Sequence, residues 1–99
     1  MRPIHLANLD KTRPVLVLTR GLVRPHLRRV TVAPITSRIR GLTTEVSVGT
    51  ANGLDHDSVI SLDNIATIAV ADLGRPIGGL LPAQELALSE AIRAAFDLV

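Results

Sequence analysis

The stretch DKTRPVLVLT, residues 10–19, decides the fold. Pro14 to Leu18 form a run of five apolar residues, the length of a strand and apolar at every position. Proline is tolerated at the first position of a strand, where its missing N–H is not needed. Arg13 stands at the mouth of this run, and the proline behind it restricts the arginine backbone to extended geometry. A strand that is apolar on both faces needs a cover on each. The sequence therefore mounts a fixed cation at the entrance of a strand buried on two sides.

Working outward, Ile4 to Leu9 reads as a brief first strand and Pro14 to Thr19 as the second. Arg29 to Ile35 (RVTVAPI) alternates like a third strand, bent at Pro34. Thr43 to Val48 (TTEVSV) has the alternation of a half-exposed strand. Beyond the turn signal Ala51-Asn52-Gly53, Ser58 to Leu62 and Ile65 to Val70 complete the set. Arg-Pro recurs at residues 2, 13 and 24, but the segments between share no pattern, so no solenoid is implied. From Pro82 the composition turns helical, with Leu81, Leu88, Ile92, Ala95 and Phe96 on one face. Glu85 and Arg93 lie near the helix ends that their charges favour. The expected fold is mainly β with a C-terminal helix, a small barrel. The helix covers one face of the second strand, and a homodimer interface is expected to cover the other.

Ninety-nine residues suit one domain over residues 1–99, with a modest core. Without cysteine there is no disulfide and no thiolate metal site. No apolar block has the length of a signal peptide or a membrane span, so a cytoplasmic protein is expected. The net charge of +2 conceals two opposed halves. Residues 1–40 carry nine Lys and Arg against Asp10 alone, while residues 41–99 carry two against eight acids. Eight of the nine early cations are arginine, which binds phosphate as a planar fork. A basic half of this kind suits a nucleic acid or another polyanion, or a solvated basic face.

The second and third strands together carry a resemblance. Arg13-Pro14 before Val-Leu-Val-Leu, then Val32-Ala33-Pro34-Ile35-Thr36-Ser37, resembles the MazF/PemK family of toxin endoribonucleases. Asn52-Gly53-Leu54, Asp57-Ser58-Val59, Asp63-Asn64-Ile65 and Ile77-Gly78 extend the similarity, in order, over nearly the whole chain. The resemblance implies an SH3-like barrel that dimerises and cleaves single-stranded RNA without a metal or other cofactor. It implies 2′,3′-cyclic phosphate and 5′-hydroxyl products, a catalytic arginine at Arg13 and a catalytic threonine at Thr36. It also implies an acidic antitoxin as partner. A guanidinium can hold two phosphoryl oxygens as charge builds in the transition state. Thr36 offers a hydroxyl to a phosphoryl oxygen or to the attacking 2′-oxygen. The simpler roles are a surface arginine paired with Asp10 or Glu45, and a threonine whose hydroxyl caps the next turn.

Single-strand binders usually stack bases on aromatic rings, and Phe96 is the only aromatic here. RNA recognition then falls to arginine planes and small polar groups. The expected contacts are Arg20, Arg24, His26 and Arg28 in a basic loop, with Lys11, Ser37, Arg38 and Ser58. Asp55-His56-Asp57 has ligand types for a divalent cation, although a turn after Asn52-Gly53 uses such residues anyway. His5 falls within a strand and reads as structural. One departure from the family is the short link from first strand to Arg13, which puts a loop carboxylate and loop gating in doubt. The alternative is a non-catalytic module of the same fold, a CcdB-like gyrase poison or a degenerate RNA or antitoxin binder, which needs neither Arg13 nor Thr36.

Overall fold

The computed structural model describes residues 2–21 and 26–99. Among the described residues seven strands precede one α-helix: β1 (Pro3–Asn8), β2 (Thr12–Val17), β3 (Arg29–Thr36), β4 (Glu45–Val48), β5 (Ser58–Ser61), β6 (Ala66–Ala69), β7 (Leu73–Gly79) and α1 (Glu85–Ala95). All pairings are antiparallel, in the order β4-β5-β3-β2-β1-β7, with β6 also on β3. One edge of β3 pairs with β6 from Arg29 to Val32 and with β5 at Ile35 and Thr36. Between those partners lie Ala33 and Pro34, and proline has no N–H to contribute to a ladder. The bend expected at Pro34 is thus where the sheet changes partner.

Strand β2 sits between two aliphatic clusters, as its sequence requires. Leu16 points into the larger one with Ile4, Ile35, Ile60, Leu62 and Leu80, closed by Leu88 and Ala91 of α1. Val15 and Val17 point the other way and pack with Ala7, Val30 and Val32. These five are at most 2% exposed, with Leu9, Ile68 and Leu73 at their margin. The second face of β2 is therefore covered by the chain's own β6 and β7, and needs no second copy over it. Phe96 departs from its expected place on the packed helix face and is 56% exposed. The helix ends at Ala95, so Phe96 is its C-cap residue rather than part of the helical face, and a left-handed Asp97 (φ 54°) follows. None of the described helices is long and apolar enough to cross a membrane.

Strand β7 was not legible in the sequence. It carries three glycines and a proline, which depress strand propensity, and it lies at the end of the sheet, where both are tolerated. The Asn52-Gly53 turn holds it in place. Gly53 has φ +89°, and a Cβ there would fall inside the van der Waals shell of the Ile77 carbonyl. Gly78 faces the Asn52 carbonyl just as closely. Buried Asn52 donates to the Gly79 carbonyl (3.0 Å) and to Gln84 Oε1 (2.6 Å), and accepts from the Gly49 amide (3.1 Å). Gln84 Oε1 also accepts from the Leu81 amide (2.9 Å), so one polar hub ties the turn to β7 and to the start of the helix. Gly53→Ala should destabilise the fold by about 2–3 kcal/mol, because it combines left-handed strain with a backbone clash. Chemical denaturation against wild type, with exposed Leu86→Ala as the unaffected control, measures it.

Candidate active site

Arg13 and Thr36 meet at one end of the β2–β3 pair. The register runs Val15↔Pro34, Leu16↔Ala33 and Val17↔Val32, and continued by two residues it sets position 13 across from position 36. Two clefts open from this point, and both residues line both of them. The larger, of about 710 Å³, continues past Lys11, Ser37, Asp55, His56, Ser58 and Arg75. The second, of about 520 Å³, continues past Arg38, Arg40, Glu45 and Asp63. An extended ligand crossing Arg13 and Thr36 would have room on either side.

The guanidinium of Arg13 is held by Asp10. Nε donates to Oδ1 at 2.8 Å and Nη2 to Oδ2 at 3.0 Å, a bidentate pair on the side edge of the fork. Among the described residues nothing occupies Nη1, so the outer edge, Nη1 with the second N–H of Nη2, remains for an anion. The hydrogen bonds from Arg13, reinforced by its charge, hold the Asp10 carboxyl well below the usual carboxylate range. The same contact raises Arg13, keeping it a cation at any working pH. Residues 9–11 form the whole link between β1 and β2, closed by Leu9 N–H donating to the Lys11 carbonyl (3.1 Å). Short as it is, the link still supplies a carboxylate at the arginine. Glu45, the other expected partner, instead accepts from the backbone amides of Arg40 and Leu42.

Thr36 does cap the turn that follows: its Oγ1 accepts from the Arg38 amide at 3.1 Å. That contact fixes the oxygen and leaves the hydroxyl hydrogen to donate toward the clefts. The remaining expected contacts divide. Lys11, Ser37 and Ser58 line the larger cleft and Arg38 the smaller, although Ser58 is buried and its hydroxyl donates to the His56 carbonyl. Arg20 lines a separate cleft beside Arg2 and Glu85, and the exposed Arg28 and His26 line neither of the two. Arg24 lies outside the described residues. The reason is topological. Arg20 follows β2 and Arg28 precedes β3 at one end of that antiparallel pair, with Arg13 and Thr36 at the other, roughly 20 Å of extended chain away. His5 is structural as expected, its Nδ1 2.8 Å from the Gly74 carbonyl. Among the described residues no three His, Asp or Glu side chains form a metal-binding group, Asp55-His56-Asp57 included.

Sequence reading passed over Arg75 and the place of His56. The signal for Arg75 was a fourth Arg-Pro, at 75–76, and its position as one of two cations in an acidic half.

Comparison with known proteins establishes the family of the chain. Residues 4–96 match the family model described as PemK-like, MazF-like toxin of type II toxin-antitoxin system. Endoribonuclease MazF3 of Mycobacterium tuberculosis is 66% identical over 98 residues, 99% of this chain and 95% of that protein. Probable endoribonuclease MazF5 of the same species is 37% identical over 86 residues, 86% of this chain and 79% of that one. Among solved structures, M. tuberculosis toxin MazF-mt6 superposes with a TM-score of 0.98 at 65% identity, covering 99% of each chain. The small barrel with one C-terminal helix is the fold of those relatives.

Asp10→Asn should lower activity about ten-fold with the fold intact, because the fork keeps its charge and loses its fixed bearing. The pair is lost only as pH falls through the depressed Asp10 pKa, so the ratio of wild type to variant should stay constant above about pH 5. Initial cleavage rates across pH check both statements.

Proposed function

From the premise that this chain belongs to the PemK-like, MazF-like toxins of type II toxin–antitoxin systems and is an endoribonuclease, we propose that Arg13 and Thr36 hold the scissile phosphate where the two clefts meet. The observation that carries this reading is that, among the described residues, these two alone line both clefts. The reaction is attack of a 2′-oxygen on the adjacent phosphorus, with departure of the 5′-oxygen. It leaves a 2′,3′-cyclic phosphate and a 5′-hydroxyl. Its transition state concentrates charge on the non-bridging oxygens, and the outer edge of the Arg13 fork with the Thr36 hydroxyl would meet that charge. Because Asp10 and the Arg38 amide pre-position both groups, little reorganisation is needed.

Arg13 does not act as the base, since its pairing holds the proton more firmly still. His56 lines the larger cleft with it. A non-catalytic module of the same fold has no use for a pre-positioned guanidinium and hydroxyl on one phosphate.

The same proposal includes an acidic antitoxin as partner, whose carboxylates would compete with RNA phosphates for the cleft cations. It is supported by the family's type II systems and by a mycobacterial endoribonuclease of this fold solved with its cognate antitoxin. A homodimer also belongs to the proposal, on a surface other than the second face of β2.

A long RNA incubated with the purified protein in EDTA, with 5′ ends mapped, tests the site. Wild type should leave discrete cuts with 5′-hydroxyl ends. Arg13→Ala and Thr36→Val should each reduce cleavage about 10²- to 10³-fold without unfolding. Undiminished cleavage by Arg13→Ala would remove it from the site.

A further inference from the structure

Strand β7 departs from regular pairing where it borders the larger cleft. Its register against β1 runs Pro3↔Gly79 and Ile4↔Gly78, then His5↔Pro76, then Ala7↔Leu73. Ile77 is skipped in the first shift, and in the second three steps along β7 answer two along β1. Two irregularities so close together are β-bulges, which bend a strand and re-aim its side chains. In a regular strand, neighbouring residues point to opposite faces. Here Arg75, Pro76 and Ile77, three in succession, all line one cleft.

The distortion is held in place from three sides. Gly74 lies so close to the Leu6 carbonyl that a Cβ would stand 3.0 Å from that oxygen. His5 Nδ1 is 2.8 Å from the Gly74 carbonyl, an acceptor, so that nitrogen carries the donated proton. On the far side Gly78 is seated against Asn52. The product of this construction is an exposed cation. Among the described residues Arg75 makes no ion pair, whereas Arg13 is already held by Asp10. Arg75 also repeats the local arrangement of Arg13: an arginine followed by proline, with Arg13-Pro14 and Arg75-Pro76 lining the same cleft.

Cleft charge shows what such a cation could serve. The smaller cleft sets Arg13, Arg38 and Arg40 beside Asp10, Glu45 and Asp63, and each of those carboxylates is engaged by donors of the protein. The larger sets Lys11, Arg13 and Arg75 against Asp55 alone. Surplus positive charge therefore lies on that side of Arg13 and Thr36. We propose that Arg75 is a phosphate-contacting residue, binding the backbone of the nucleotides that follow the larger cleft away from the scissile phosphate, and that the bulge locked by His5 exists to aim it. This rests on the assignment of the site to Arg13 and Thr36. Arg75 would contribute to binding substrate and transition state alike, so its loss raises KM and leaves kcat nearly unchanged.

The test separates this inference from the assignment beneath it, because it reads binding as well as cleavage. A short RNA with every 2′-hydroxyl methylated cannot be cut, and its affinity is measured over a series of salt concentrations. Arg75→Ala should weaken binding about ten-fold at low salt and flatten the slope of log K against log salt by about 0.7, the value for one single-strand phosphate contact. Arg75→Lys should keep most of the slope, and Arg93→Ala, on the helix outside both clefts, should match wild type. His5→Ala should give an intermediate loss, since it frees the bulge without removing the charge. An unchanged slope and KM for a folded Arg75→Ala would overturn the proposal even if Arg13→Ala abolishes cleavage. Arg75→Lys behaving like Arg75→Ala, with both reduced in thermal stability, would assign the residue to the fold instead.

Discussion

Burial of β2 on both faces is the constraint on which the rest depends. Val15 and Val17 enter one aliphatic cluster while Leu16 enters the other, so the strand has no freedom to twist or slide. A one-residue slip would exchange the two sets of side chains. Immobilising the strand immobilises its leading end, and Arg13 is its second residue. The short link before it then places Asp10 against the guanidinium, which trades two of its N–H groups for a fixed direction. An exposed pair of this kind adds little to stability. Its value lies in orientation: a flexible cation is converted into an aimed one.

The same economy recurs across the site. Thr36 gives its lone pair to the Arg38 amide and keeps its hydrogen, and Glu45 closes the 40–45 turn. Polar groups near the clefts are thus committed to partners within the protein, leaving selected donors facing outward. That arrangement suits a phosphodiester, which offers acceptors only. It also fits a chain with one aromatic residue, set at the far end of the helix and lining neither cleft. Arginine forks and hydroxyls do here what stacked rings do in other single-strand binders.

How much of this was legible depended on whether the information was local. The apolar run after Arg13, the alternation of 29–35 and the helical period after Pro82 are local, and each element formed within a few residues of its expected bounds. The pair Arg13 and Thr36 was expected from its motif, and the observed register sets the two positions across from one another. Strand β7 was missed because glycine and proline mark loops locally, while its existence depends on contacts with β1 and with the Asn52-Gly53 turn, distant in sequence. Losing β7 also lost Arg75. Arg20, His26 and Arg28 line neither cleft at Arg13 and Thr36, since charge composition says nothing about which end of a strand pair a residue occupies. The second face of β2 was assigned to a partner because the strand that helps cover it had not been seen.

The central claim is that one phosphodiester sits against both the guanidinium of Arg13 and the hydroxyl of Thr36. A crystal structure of the protein with an RNA carrying a 2′-deoxy nucleotide at a mapped cut tests it most directly. The account predicts a non-bridging oxygen of the uncut phosphate within hydrogen-bond distance of each group, with the flanking nucleotides in the two clefts and Asp10 still on the side edge of Arg13. An RNA whose scissile phosphate lies elsewhere, such as along Arg20 or Arg28 at the opposite end of the β2–β3 pair, would contradict it.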